Sequence, residues 1–217
     1  MIDATEVADR VAHVRSVITN AGGTAVSLVA VTKSFGIDAL RAASDTGCDG
    51  VGENYAQELL EKITIGLPSI DVHFIGALQS NKVRSLVGHV ALWQSVDRDS
   101  VVDELGRRAP GASILIQVDT TQEPSKGGVA PNQLDALRTR AESRGLFVKG
   151  LMTIGPTDGA QQECEKSFGM LRQLVNEQGL LVCSMGMSAD YPIAVACGST
   201  MVRVGSGLFG DRTRVTT

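Results

Sequence analysis

Ser113–Val118 reads SILIQV: apolar residues follow one another with a single glutamine among them, and no polar residue falls at every second position. A strand with one wet face alternates, whereas a parallel strand covered on both faces is nearly continuous in apolar residues. Thr200–Val204, TMVRV, has the same character with an arginine set into it. Working outward from these two, short apolar runs recur along the whole chain. The expected strands are Ser27–Thr32, Asp49–Gly52, Val72–Gly76, Val90–Val96, Ser113–Asp119, Phe147–Ile154, Leu181–Ser184 and Thr200–Gly205. Between them lie stretches with helical spacing, such as Ala56-Leu59-Leu60-Ile63, Leu134-Leu137-Ala141 and Phe168-Leu171-Leu174-Val175.

Repeated strand–helix units with no Pro/Gly linker to divide them read as one closed (β/α)8, or TIM, barrel spanning residues 1–217. Val7, Val11, Val14 and Ile18 recur at helical spacing ahead of the first strand. They predict an N-terminal helix over 3–21, packed on the barrel where the short tail, 211–217, is too brief to supply a covering helix. The competing architecture is a doubly wound open sheet. Its glycine fingerprint should follow the first strand, and none does. GSGLFG, Gly205–Gly210, has the letters but follows the last strand.

A chain of 217 residues, 43% of them hydrophobic, can bury a substantial core as one domain. A formal charge of −4 without a Lys/Arg-rich run argues against a nucleic-acid binder, though a small anion can still bind locally. No apolar stretch approaches the roughly 18 residues of a membrane span. The segment MIDATEVADR carries Asp3, Glu6 and Asp9 and lacks the apolar heart of a secretion signal, so the expected location is cytoplasmic. Cys48, Cys164, Cys183 and Cys197 form no C-x-x-C pair, and His13, His73 and His89 are equally scattered. Free thiols and no metal are expected.

In a barrel, chemistry gathers where strands exit, and phosphates dock on the loops after the seventh and eighth. The seventh exits into SMGMS, Ser184–Ser188, ahead of a helix, and the eighth into RVGSG, Arg203–Gly207. Free N–H groups and the Ser188 hydroxyl could meet an anion there, while the glycines let backbone approach closely. Ser188 could equally be an ordinary helix cap, and Gly205 and Gly207 a plain turn. The first strand exits at Lys33, in LVAVTKSF, Leu28–Phe35. Such a lysine is either a solvated flank or an amine in a partly apolar mouth, where desolvation favours the neutral, nucleophilic form. Opposite a phosphate cradle, it suggests an aldehyde carrying a phosphate.

AVTK, GENYAQE, HFIGALQSNK, SKGG, GLMTI and SMGMSADYPIAVACGSTMVRVGSGLFG resemble, in order and spacing, the YggS/PROSC family of pyridoxal phosphate homeostasis proteins. The resemblance runs from about Ser27 to Arg212. It implies a fold-type III barrel, like the N-terminal domain of alanine racemase, that binds pyridoxal 5′-phosphate (PLP) as an aldimine on Lys33. On the same resemblance Ser188, with the backbone of Gly205 and Ser206, holds the phosphate, Arg203 faces the pyridine nitrogen and Asn54 lines the pocket. Lys126 of SKGG matches a lysine near the mouth. Ala77 and Gly36 stand where the family often has proline, which touches only loop stiffness.

A guanidinium only donates hydrogen bonds, so a pyridine nitrogen opposite Arg203 stays unprotonated and is a poor electron sink. A racemase of this fold needs a base on each face of the substrate. Tyr55 and Tyr191, at helix starts, are not placed for the second, and His73 reads as a barrel-lining residue. The expectation is therefore a monomeric PLP carrier that buffers or supplies the cofactor to apo-enzymes. A racemase of weak activity is the alternative, and a Schiff-base aldolase ranks below both.

Overall fold

A computed structural model describes residues 2–123, 126–157 and 159–210. Eight parallel strands close into a barrel in sequence order: β1 Ser27–Val31, β2 Gly50–Glu53, β3 Val72–Phe74, β4 Leu92–Val96, β5 Ser113–Gln117, β6 Phe147–Met152, β7 Val182–Ser184 and β8 Met201–Val204. The β8–β1 ladder, with Ser27 opposite Met201 and Val29 opposite Arg203, removes the open-sheet alternative. Every expected strand is present, but most end one or two residues early. Single hydrogen bonds continue beyond the ladders, from the Thr32, Ile75 and Val118 N–H groups, before each chain turns outward to form the mouth.

Helices cover the outside: α1 Ala4–Asn20, α2 Ile37–Asp45, α3 Ala56–Ile65, α4 Ser80–Leu86, α5 Asp99–Arg108, α6 Leu134–Ser143, α7 Gln161–Glu177, α8 Tyr191–Ala196 and the four-residue α9 Ser206–Phe209. Asp3 caps α1 by accepting the Thr5 and Glu6 N–H groups, and the apolar stripe Val7, Val11, Val14 and Ile18 is buried. That helix packs on α2, α8 and α9, so it flanks the β8–β1 seam that α9 is too short to cover. The tail at 211–217 lies outside the described residues.

The core has two compartments. Leu28, Ala30, Val51, Trp93 and Ile116 meet the helices, while Val29, Leu92, Leu115, Met152 and Met201 fill the barrel. Because side chains alternate along a strand, Val29 and Val31 set one phase and Leu28, Ala30 and Thr32 the other. Lys33 stands two residues past Val31, in the turn where the chain leaves β1. Among the described residues, no helix is long and apolar enough to cross a membrane, and no group of three or more His, Cys, Asp or Glu could hold a metal. The four cysteines are free, and burial pushes the Cys48 thiol up to about 11 and Cys183 to about 12.

Candidate functional site

Lys33, half-buried at the exit of β1, is bracketed by residues pinned to α3. On one side, the Thr32 hydroxyl donates to Glu53 Oε1 at 2.6 Å, and the Thr32 carbonyl accepts from Lys62 Nζ at 2.9 Å. On the other, Ser34 adopts φ 64° and its N–H donates to Glu58 Oε2 at 2.8 Å. A serine in the left-handed region needs such an anchor. Lys62 and Glu53 themselves form a buried ion pair at 2.6 Å. Burial raises the Glu53 pKa and the Lys62 charge opposes that rise. From GENYAQE, sequence reading carried Asn54 into the site and weighed Tyr55 only as a second base. Glu53 and Glu58 in the same motif, with Lys62 one turn beyond Glu58, were the available signal.

Asn54 follows β2. Its Oδ1 is buried with no hydrogen-bond partner among the described residues. A Cβ at Gly76 would overlap the Asn54 carbonyl, so a glycine after β3 is what lets these two mouth loops touch.

Ser188 is not a helix cap. Helix α8 begins at Tyr191, and Asp190 stands at its cap position, with Oδ1 accepting the Met187 N–H at 2.5 Å. Ser188 Oγ instead accepts the N–H groups of Gly205 (3.1 Å) and Gly207 (3.2 Å), bridging the loops after β7 and β8. Both hydroxyl lone pairs are thereby occupied, which leaves its proton to donate. The Gly205 N–H, assigned by resemblance to a phosphate, thus points to Ser188. The Ser206 N–H opens α9 and has no intrahelical acceptor.

Arg203 lies in the interior of β8, 4% exposed. Its Nη1 donates to Ser184 Oγ at 2.6 Å and its Nη2 to the Thr153 carbonyl at 2.8 Å. No carboxylate pairs with it among the described residues. Burial pulls the guanidinium down to about 10, opposed by the more distant charge of Asp190, so it stays cationic at neutral pH.

Lys126 is committed elsewhere: Nζ donates to Glu123 Oε1 at 2.9 Å and to the Gly155 carbonyl, tying the loop after β5 to that after β6. Glu123 also accepts from Thr157, and these bonds hold its carboxyl down to about 2. Tyr191 is buried, while Tyr55, ahead of α3, is 52% exposed. His73 lines the barrel interior, with Nδ1 2.8 Å from Gln94 Nε2.

The family model for the alanine racemase N-terminal domain matches residues 2–213. A pyridoxal phosphate homeostasis protein of Haemophilus influenzae is 39% identical over 203 residues, covering 86% of this chain and 85% of that protein. Among solved structures, PipY of Synechococcus elongatus with PLP bound is similar at TM-score 0.84 and 34% identity, covering 94% of this chain and all of that one. The alanine racemase of Corynebacterium glutamicum, at TM-score 0.77 and 17% identity, shares the fold; this chain spans 64% of its length.

Proposed function

The chain belongs to the alanine racemase N-terminal domain family, among the pyridoxal phosphate homeostasis proteins, and on that premise we propose that it binds PLP and serves intracellular vitamin B6 balance. The observation that carries the reading is Arg203: a buried cation without a carboxylate, held by two neutral acceptors at the strand exits. Such a charge calls for an electron-rich partner, and an unprotonated pyridine nitrogen meets that need. The residues present fit the rest of the cofactor. The Ser188 proton and the Ser206 N–H are donors for its phosphate, the unpartnered Asn54 Oδ1 is a polar contact for its ring substituents, and Lys33 is the attachment point for its aldehyde.

When bound, PLP supplies an aldehyde that links reversibly to amines. This chain's own residues grip both ends of that group and keep its nitrogen neutral, which weakens its use as an electron sink. We therefore read the protein as a holder and supplier of PLP to apo-enzymes, working as a cytoplasmic monomer with residues 1–217 as one cofactor-binding unit. A racemase would need a second base, and a buried Tyr191 with a rim-exposed Tyr55 does not recommend one.

The test is reconstitution with PLP. The protein is expected to gain visible absorbance that Lys33→Ala abolishes, and borohydride should fix the cofactor to Lys33 in a peptide map. Ser188→Ala is expected to weaken retention by about 1.5–3 kcal/mol, the effect of one charge-assisted hydrogen bond. A protein that stays colourless overturns the cofactor reading. Racemisation of amino acids above background overturns the carrier reading, as does failure to load an apo-enzyme when free PLP is scavenged.

A further inference from the structure

A line of polar side chains crosses the barrel between apolar neighbours. Arg203 Nη1 donates to Ser184 Oγ at 2.6 Å, and Ser184 Oγ donates to Gln94 Oε1 at 2.7 Å. Gln94 Nε2 lies 2.8 Å from His73 Nδ1. Val29, Leu92, Leu115, Met152 and Met201 fill the space around them. All four polar residues are buried, His73 being the most open at 7%. The far end meets a cavity of about 340 Å³ at the opposite face of the barrel, lined by His73 with Asp49, Asp71 and Lys149.

We propose that Ser184, Gln94 and His73 are positioning residues for Arg203, forming a one-way hydrogen-bond chain that aims its guanidinium at the cofactor. The direction follows from what each atom can do. Arg203 can only donate, so it takes a lone pair of Ser184, whose own proton must go elsewhere. Gln94 Oε1 receives that proton. The amide cannot turn round without loss, because Met201 Sδ, an acceptor only, sits 3.2 Å from Gln94 Nε2 and favours the NH2 group on that side. His73 Nδ1 must then accept, which fixes the neutral tautomer with its proton on Nε2. Burial, opposed only by the charge of Asp71, lowers its pKa to about 4 and keeps the ring in that acceptor state at neutral pH.

The arrangement solves a specific problem. A carboxylate would hold Arg203 more firmly but would quench its charge. A hydroxyl oriented from behind holds the guanidinium in place and leaves the charge available. Without Gln94, the Ser184 proton has no assigned acceptor, the hydroxyl rotates, and the guanidinium keeps only the Thr153 carbonyl as a fixed partner.

The inference rests on the cofactor reading above, and two measurements separate their failures. In the ligand-free protein, the imidazole ¹⁵N shifts of His73 are expected to show a bare Nδ1 and a protonated Nε2 at neutral pH. In the PLP-loaded protein, Gln94→Leu and Ser184→Ala are expected to shift the visible band and release PLP about three- to tenfold faster. Ser184→Thr, which keeps the hydroxyl, should restore the band. Leu115→Ala, a destabilising change in the same interior but off the chain, should leave band and release rate as they are. A protonated Nδ1 overturns the proposal, and so does a Gln94→Leu protein with unchanged band and release. Should the parent protein bind no PLP, the cofactor reading falls, and the His73 tautomer still decides whether the chain runs as described.

Discussion

Among the described residues two cationic side chains, Lys62 and Arg203, are buried, and they are treated in opposite ways. Lys62 sits between the wall and α3, its side chain 6% exposed, against a Glu53 carboxylate that is wholly buried. Arg203 is as deeply placed inside the barrel, yet its partners are a hydroxyl and a carbonyl. Pairing a buried charge with a carboxylate cancels it and fixes architecture. Surrounding it with neutral acceptors satisfies part of its hydrogen bonding and leaves its field directed at whatever occupies the mouth. The first device braces the backbone just ahead of Lys33, and the second leaves a charge available at the mouth.

The brace is the place to break this contrast hardest. Lys62→Met leaves Glu53 with only the Thr32 hydroxyl, in a site where its Oε2 already lacks a partner. Removing one member of a buried pair costs about 3–5 kcal/mol, and urea unfolding should show a loss of that size. The double variant Lys62→Met with Glu53→Leu, which removes both charges, should recover most of it. A single variant within about 1 kcal/mol of the parent would mean the pair is no brace, and the contrast with Arg203 would collapse.

The interior chain makes a prediction in pH. His73 has its pKa lowered to about 4 in the folded protein, against 6.5 for the free side chain. Between those values the unfolded chain binds a proton that the folded one does not. Stability should therefore fall as pH drops from about 6.5 to 4, by on the order of 3 kcal/mol, with no contribution above that window. Carboxylates titrate in part of the same range, so the quantity to compare is the slope of urea midpoint against pH in the parent and in His73→Leu. The variant should lack that share of the slope. Equal slopes would place a protonated imidazole in the barrel and cut the chain at its last link.

The barrel was legible from the sequence because each strand announces itself locally. A run such as SILIQV needs no distant residue to be read, and the four residues of the α1 stripe explain the seam by spacing alone. The mouth was legible in part. Lys33, Arg203 and the SMGMS and GSG loops carry recognisable types at strand exits, but reading a possible cap from Ser188 failed because α8 starts at Tyr191. What the sequence hid is contact made across the barrel. Ser184 meets Gln94 across 90 positions and Gln94 meets Met201 across 107, and no period in the chain reports that two strands on opposite sides point inward at one height. The Glu53–Lys62 brace is closer, nine positions apart, yet it spans a strand and a helix and so fits neither repeat.

The mildest change separates the two devices most cleanly. Thr32→Val keeps the shape of the side chain and removes only the O–H that donates to Glu53 at 2.6 Å. The loss of one hydrogen bond to a charged acceptor should lower stability by about 2 kcal/mol. The bond from Lys62 Nζ goes to the Thr32 carbonyl, which valine retains, so the backbone before Lys33 stays tied to α3. PLP retention should therefore be nearly unchanged. Ser184→Ala should differ in the ligand: it loses at least as much stability and also releases the cofactor faster, because its hydroxyl serves Arg203 directly. If Thr32→Val released PLP as fast as Ser184→Ala does, the brace would be acting on the ligand, and the division of labour between the two buried cations would not hold.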